Sequence, residues 1–311
     1  MFSQLVTRGL LPLNLALLSA AKATVDQQIL SLEGSKSRLL QYPTQLTQDI
    51  MPKQIHSHND YWRDVPLLTA ISFGVMSVEA DVNLLNGTLF IGHENAALTP
   101  SRTFDSLYVQ PLLKILNTQN PRNVFTVGQK KPNGVFDTAS DTSLQLLVDI
   151  KSDGFETLPF VLKALEPLRA AGYLTTFANG TLTTSAVTVI GTGNSPLEIV
   201  KQLSPRDYFF DAPLMQLDDP SLNTTWGPAL SPIASTDYEV AVGWHGIGAI
   251  STAQLANLTK FVGEAHARGI KARFWDTPAW PIVARNNIWT MLMNHGADWL
   301  NADDLEAASN F

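Results

Sequence analysis

The sequence predicts an α/β fold of the (β/α)8 type, and three observations carry that expectation. From Lys53 onward, short β-rich runs alternate with helical patterns, as βα units on a parallel sheet do. Eight candidate strands can be placed, at Lys53–His58, Met76–Val82, Leu146–Lys151, Ala186–Ile190, Tyr208–Phe210, Glu239–Trp244, Ile270–Trp275 and Asp298–Asn301. Polar residues gather at the C-terminal ends of these runs, where a TIM barrel builds its active site. A doubly wound open sheet is the competing fold, but no Gly-rich phosphate loop follows the first strand.

The chain opens with a different pattern. Met1 to Arg8 carry one positive charge and no acid, Gly9 to Ala20 are apolar, and Ala21-Lys22-Ala23 places small residues at −3 and −1. Residues 1–23 therefore read as a secretory signal peptide, with a mitochondrial presequence as the alternative. The apolar stretch is too short for a transmembrane span. Sequons at Asn86, Asn179, Asn223 and Asn257 fit a secreted glycoprotein. Residues 24–50 form a polar lead-in, and 51–311 the barrel domain.

Helix signals punctuate that domain. Glu156 to Ala171 has helical periodicity and stops at Gly172, before the strand-like Tyr173-Leu174-Thr175-Thr176. Ser195-Pro196-Leu197-Glu198 reads as a capping box with Pro at the first helical position. Ser251 and Thr252 can cap a helix running to Arg268, which Gly269 closes.

Composition removes several chemistries. The 311 residues include no cysteine, so disulfides, thiolate nucleophiles and Cys-ligated zinc are excluded. A formal net charge of −7, without any basic run, argues against nucleic acid as a partner.

The chemistry concentrates between Lys53 and Glu94. Glu79 and Asp81 sit two apart in Ser77-Val78-Glu79-Ala80-Asp81-Val82, so one strand face carries both carboxylates. Two acids pointing into a barrel repel each other and call for one hard divalent cation, Mg²⁺ or Ca²⁺. Leu146-Leu147-Val148-Asp149-Ile150-Lys151 reads as a buried parallel strand that delivers Asp149 as a third ligand. Lys151 shares its face and meets either a phosphate oxygen or Asp149 itself. His56 and His58 share a face at the end of the first strand, and His93 follows an Asn86-Gly87 hairpin turn. Two histidines flanking a phosphate can divide the roles of general base and general acid. His245, His266 and His295 read as structural. A glycosidase would draw its two carboxylates from different strands rather than from i, i+2 positions on one.

These residues resemble a family. Ser57-His58-Asn59-Asp60-Tyr61, Ser77-Val78-Glu79-Ala80-Asp81 and Gly92-His93-Glu94 are similar to the His, Glu-x-Asp, His pattern of the PLC-like phosphodiesterase superfamily. With Leu147-Val148-Asp149-Ile150-Lys151, Arg273-Phe274-Trp275 and Asn301-Ala302-Asp303-Asp304-Leu305, the chain most resembles the fungal altered inheritance of mitochondria protein 6 family. The resemblance implies a TIM barrel with one divalent metal and a phosphodiester substrate such as a phospholipid head group. It makes His58 and His93 the catalytic acid–base pair, with His56 as the alternative first histidine. Glu79, Asp81, Asp149 and Asn59 become the metal ligands. His58 is followed by Asn59-Asp60 rather than the Arg-Gly of glycerophosphodiesterases, so that substrate is not implied. A catalytically silent barrel that serves as a binding protein is the alternative function. Arg273, Trp275 and Trp244 end two later candidate strands on the expected rim. They either bind substrate, Arg on phosphate oxygens and indole as a wall, or form a cation–π core pair.

Overall fold

The computed structural model describes residues 23–311, so the expected leader lies outside the described residues apart from Ala23. Residues up to Tyr42 belong to one unit and Pro43–Phe311 to another. In the first, helix Val25–Gly34 starts from a capping box in which Thr24 and Gln27 bond reciprocally.

In the second unit the apolar runs become strands. In chain order they are β1 (Lys53–Ser57), β2 (Val75–Leu85), β3 (Thr88–Ile91), β4 (Leu144–Ile150), β5 (Thr176–Ala178), β6 (Thr181–Thr183), β7 (Val187–Gly193), β8 (Phe209–Pro213), β9 (Ile233–Asp237), β10 (Lys271–Trp275) and β11 (Leu300–Ala302). Eight of them pair in parallel in the order β1-β2-β4-β7-β8-β9-β10, with β11 on the other side of β1. A parallel bridge between Arg273 and Trp299 nearly closes the ring. This is the TIM barrel that the sequence predicts. Helices Gly154–Ala164, Leu197–Gln202, Thr252–Ala267 and Ile282–Asn294 lie between its strands in the chain. β3 folds back antiparallel on β2 through Asn86 and Gly87, both at positive φ.

Alternation along each strand makes two cores. Outward side chains such as Val78, Ala80, Val82, Leu146 and Val148 join the main core. Inward ones, Leu147, Ile190, Phe209, Ile233 and Trp299, plug the barrel interior. Polar inward residues lie further along the same strands, towards their C-terminal ends, so the apolar plug forms the floor of the site.

Three expectations are corrected. Glu239–Trp244 is not a strand: Tyr238–Ala241 is a short helix capped by Asp237, and the barrel strand is β9, just upstream. β9 reads Ile-Ala-Ser-Thr-Asp because its inward residues Ser235 and Asp237 face the mouth, so it lacks the apolar signature of the run after it. The strand-like Tyr173–Thr176 segment contributes only a bridge from Leu174 to Val187 and the start of the β5–β6 hairpin, which is outside the barrel. Ser195 does not cap its helix; its hydroxyl pairs with Tyr208 Oη at 2.9 Å, and the helix starts at Leu197. The Ser251 cap forms as expected, with Gln254 completing the box.

Candidate active site

The acidic centre is built by register. Asp81 on β2 and Asp149 on β4 are direct parallel partners, and Glu79 lies two residues earlier on the same inward face. One carboxylate oxygen from each of the three lies within 4.8 Å of the others. The geometry also leaves donors unused. Asp81 Oδ1 and Asp149 Oδ1 are buried without a hydrogen-bond partner. Anionic oxygens orphaned in this way are costly unless a cation meets them, so the donor set fits a hard divalent ion.

Lys151, just past β4, holds the other two oxygens, at 3.1 Å from Asp81 Oδ2 and 2.9 Å from Asp149 Oδ2. Burial pushes the Asp149 carboxyl up to about 6; Lys151 pulls it down, and Asp81 and Glu79 add to the rise. β7 must pass close to this carboxylate. A Cβ on Gly193, which sits at φ +62°, would fall 2.0 Å from Asp149 Oδ1, so only glycine fits there.

Asn59 follows β1 in the left-handed region (φ 48°), a conformation asparagine tolerates. That turn aims its N–H at Glu79 Oε2, 2.9 Å away. Tyr61 Oη lies between Asn59 Oδ1 at 2.6 Å and Asp81 Oδ2 at 2.7 Å, which ties Asn59 to the acidic cluster. In the sequence Tyr61 stands only as the last residue of the Ser57-His58-Asn59-Asp60-Tyr61 run. An aromatic residue two positions after Asn59 gives no sign that its hydroxyl bridges two candidate ligands.

The structure separates His56, on β1, from His58, just past its end. His56 is wholly buried, with Nδ1 at 2.7 Å from Ser77 Oγ and Nε2 accepting from Arg273 at 2.8 Å. Burial and the Arg273 charge hold its pKa down at about 3, so it is neutral. His58 is only partly buried, and its Nδ1 pairs with Asp303 Oδ1 at 2.9 Å. Burial lowers the His58 pKa, but the Asp303 hydrogen bond and the charges of Glu79 and Asp303 outweigh it, and the net shift is upward. His93, exposed after β3, pairs its Nδ1 with Asp81 Oδ2 at 3.0 Å. Both rim histidines thus have Nδ1 held by a carboxylate, which fixes ring orientation and directs Nε2 chemistry elsewhere.

The later strands contribute less uniformly. Arg273 is buried and donates to His56, and among the described residues it makes no cation–π pair with Trp275 or Trp244. Trp275 ends β10 and lines a cavity with Asp211 and Ser235. Trp244 is not at a strand end, because Glu239–Trp244 is not a strand. It lies in the loop after Tyr238–Ala241, packed against the main core, and its carbonyl accepts from Tyr238 Oη. His266 and His295 belong to the outer helices, pairing with Asp298 and the Met291 carbonyl, and His245 lies 3.7 Å from Glu239.

Comparison with known proteins identifies the family. The AIM6-like phosphodiesterase domain model matches residues 44–211, the stretch holding His58, Glu79, Asp81, His93 and Asp149. An altered inheritance of mitochondria protein 6 homolog from Arthroderma benhamiae is 42% identical over 302 residues, covering 94% of each chain. Altered inheritance of mitochondria protein 6 from Eremothecium gossypii is 36% identical, over 86% of this chain and 71% of the relative. The Saccharomyces cerevisiae protein of that name is 32% identical, over 85% and 72%. A TIM barrel carrying a phosphodiesterase-like domain, the chain belongs to the altered inheritance of mitochondria protein 6 family.

Proposed function

We propose that the protein is a secreted, metal-dependent phosphoric diester hydrolase acting on a lipid head group or another small phosphodiester. The observation that carries this reading is the clustering of Glu79, Asp81 and Asp149 with two unpartnered oxygens, beside two histidines oriented by carboxylates. Glu79, Asp81, Asp149 and Asn59 would hold one Mg²⁺ or Ca²⁺. Bound there, the ion would neutralise phosphate charge and stabilise the charge that develops on the phosphoryl oxygens.

The protein groups do the proton work. One of His58 and His93 takes a proton from the attacking oxygen as its bond to phosphorus forms. The other gives a proton to the leaving oxygen as the second P–O bond breaks. The attacking oxygen is that of water or of a neighbouring substrate hydroxyl, the second route giving a cyclic phosphate. Lys151 lies against two of the carboxylates and would meet a non-bridging phosphate oxygen.

A lipid substrate is supported by exposed Trp62 after β1 and exposed Trp280, Ile282 and Val283 after β10. Such side chains favour a lipid–water interface; Trp62 ends the short turn after β1, Trp280 lies in the loop after β10, and Ile282 and Val283 open the helix that follows it. Secretion is supported by the leader pattern and by the exposure of all four sequon asparagines. Among the described residues no helix is long and apolar enough to cross a membrane. Incubation with a phospholipid and lysophospholipid panel, read by mass spectrometry, should show metal-dependent head-group release. Turnover only of water-soluble diesters would remove the lipid part of this reading.

A further inference from the structure

The chain from 120 to 143 joins the helix Gln110–Gln119 to the start of β4. It is tied to the residues ahead of β1. Gln119 donates to Thr47 Oγ1 at 3.1 Å, Thr47 Oγ1 donates to the Val135 carbonyl at 2.7 Å, and Thr138 Oγ1 donates to the Ile50 carbonyl at 3.2 Å. Parallel barrel strands all start at one end and finish at the mouth, so this segment lies at the end opposite the catalytic groups.

Within it a braced loop presents apolar side chains to solvent. Asn120 and Asn133 close its neck, with Asn133 N–H on Asn120 Oδ1 at 2.6 Å and Asn120 Nδ2 on the Asn133 carbonyl at 3.0 Å. Asn123 and Thr126 fold its tip, where Phe125 N–H donates to Asn123 Oδ1 at 2.9 Å and Asn123 N–H to Thr126 Oγ1 at 3.1 Å. Yet Val124, Phe125 and Val127 are 81%, 92% and 90% exposed. A single exposed apolar residue needs no explanation, but three on one ordered tip mark a contact surface. Arg122, Lys130 and Lys131 flank that tip, all exposed, and among the described residues none pairs with an acid. No Asp or Glu occurs between Asn120 and Phe136, although the whole chain carries a formal net charge of −7.

We propose that this loop is a docking surface for an anionic lipid bilayer. Val124, Phe125 and Val127 enter the acyl boundary, and Arg122, Lys130 and Lys131 meet lipid phosphates behind them. Apolar insertion and attraction to anionic lipid add to one another, and a bilayer accepts both without the matched pockets that a protein partner would have to supply. An acidic molecule with one basic, apolar tip also approaches such a surface loop first. The loop faces away from the mouth, so this contact is separate from the one at Trp62 and Trp280. It holds the barrel on a membrane and leaves the mouth open to diesters from solution or from an apposed surface. It needs neither the cation nor hydrolysis, and so stands apart from the phosphodiester reading.

The test is flotation of the full chain, in EDTA, with phosphatidylcholine vesicles that contain either no phosphatidylserine or roughly 30%. The anionic vesicles should bind about tenfold or more tighter, and added salt should weaken them. Phe125→Ser should lose about tenfold or more of that binding, and so should Lys130→Ala combined with Lys131→Ala. Both variants should keep the wild-type Tm, because these side chains are solvent-exposed. No vesicle binding, equal binding to both vesicles, or full binding by either variant would overturn the proposal. Binding lost in Trp62→Ser but kept in Phe125→Ser would move the contact to the mouth and overturn it as well. Self-association abolished by Phe125→Ser, without vesicle binding, would make the tip a contact between copies instead.

Discussion

At the scale of single residues, the site depends on which groups carry charge. Asp149, held at about 6 by burial, must be ionised to ligate a cation. Protons therefore compete with the metal as pH falls, and Mg²⁺ or Ca²⁺ affinity should drop by up to about tenfold per pH unit below about pH 6. Titration calorimetry at pH 7, 6 and 5 checks this, and Asp149→Asn should bind weakly at all three. Affinity flat from pH 7 to pH 5 would contradict the assignment. Glu79 and Asp81 were legible in the sequence because strand alternation alone puts them on one face. Between His56 and His58, which share a face, the sequence favours His58 only for its place nearer the C-terminal rim. Burial sets them apart: His56 has both ring nitrogens engaged, and His58 is at the rim.

At the scale of elements, the barrel explains why seven of the eight strands could be located and one was displaced. β4 reads as a continuous apolar run because both its faces are buried. β9 ends in mouth-facing polar residues, so the downstream Val-Ala-Val pattern imitated it. The corrected register makes a direct prediction. Ile233 is part of the barrel plug, and Ile233→Ala should cost about 2–5 kcal/mol in denaturant unfolding. Val240 is 70% exposed on the short helix, and Val240→Ser should change stability by no more than about 0.5 kcal/mol. The reverse ranking would restore the strand at Glu239–Trp244.

At the scale of the whole molecule, eight parallel strands bring residues from opposite ends of the chain to one mouth: His58 meets Asp303, and Arg273 meets His56. Closing three carboxylates around unpartnered oxygens couples fold stability to the cation. With Mg²⁺ or Ca²⁺ at about 100 times its Kd, stability should rise by about 2.7 kcal/mol and Tm by about 5 °C. Calorimetric scans with metal and with EDTA measure this, and Glu79→Gln should lose most of the shift. Metal-dependent diester hydrolysis at this site is measured by turnover of bis(p-nitrophenyl) phosphate by wild type and Glu79→Ala, each with divalent metal and with EDTA. Metal-loaded wild type should turn the diester over, with a loss of about a hundredfold or more in the other three conditions. Equal rates in wild type and Glu79→Ala would contradict it.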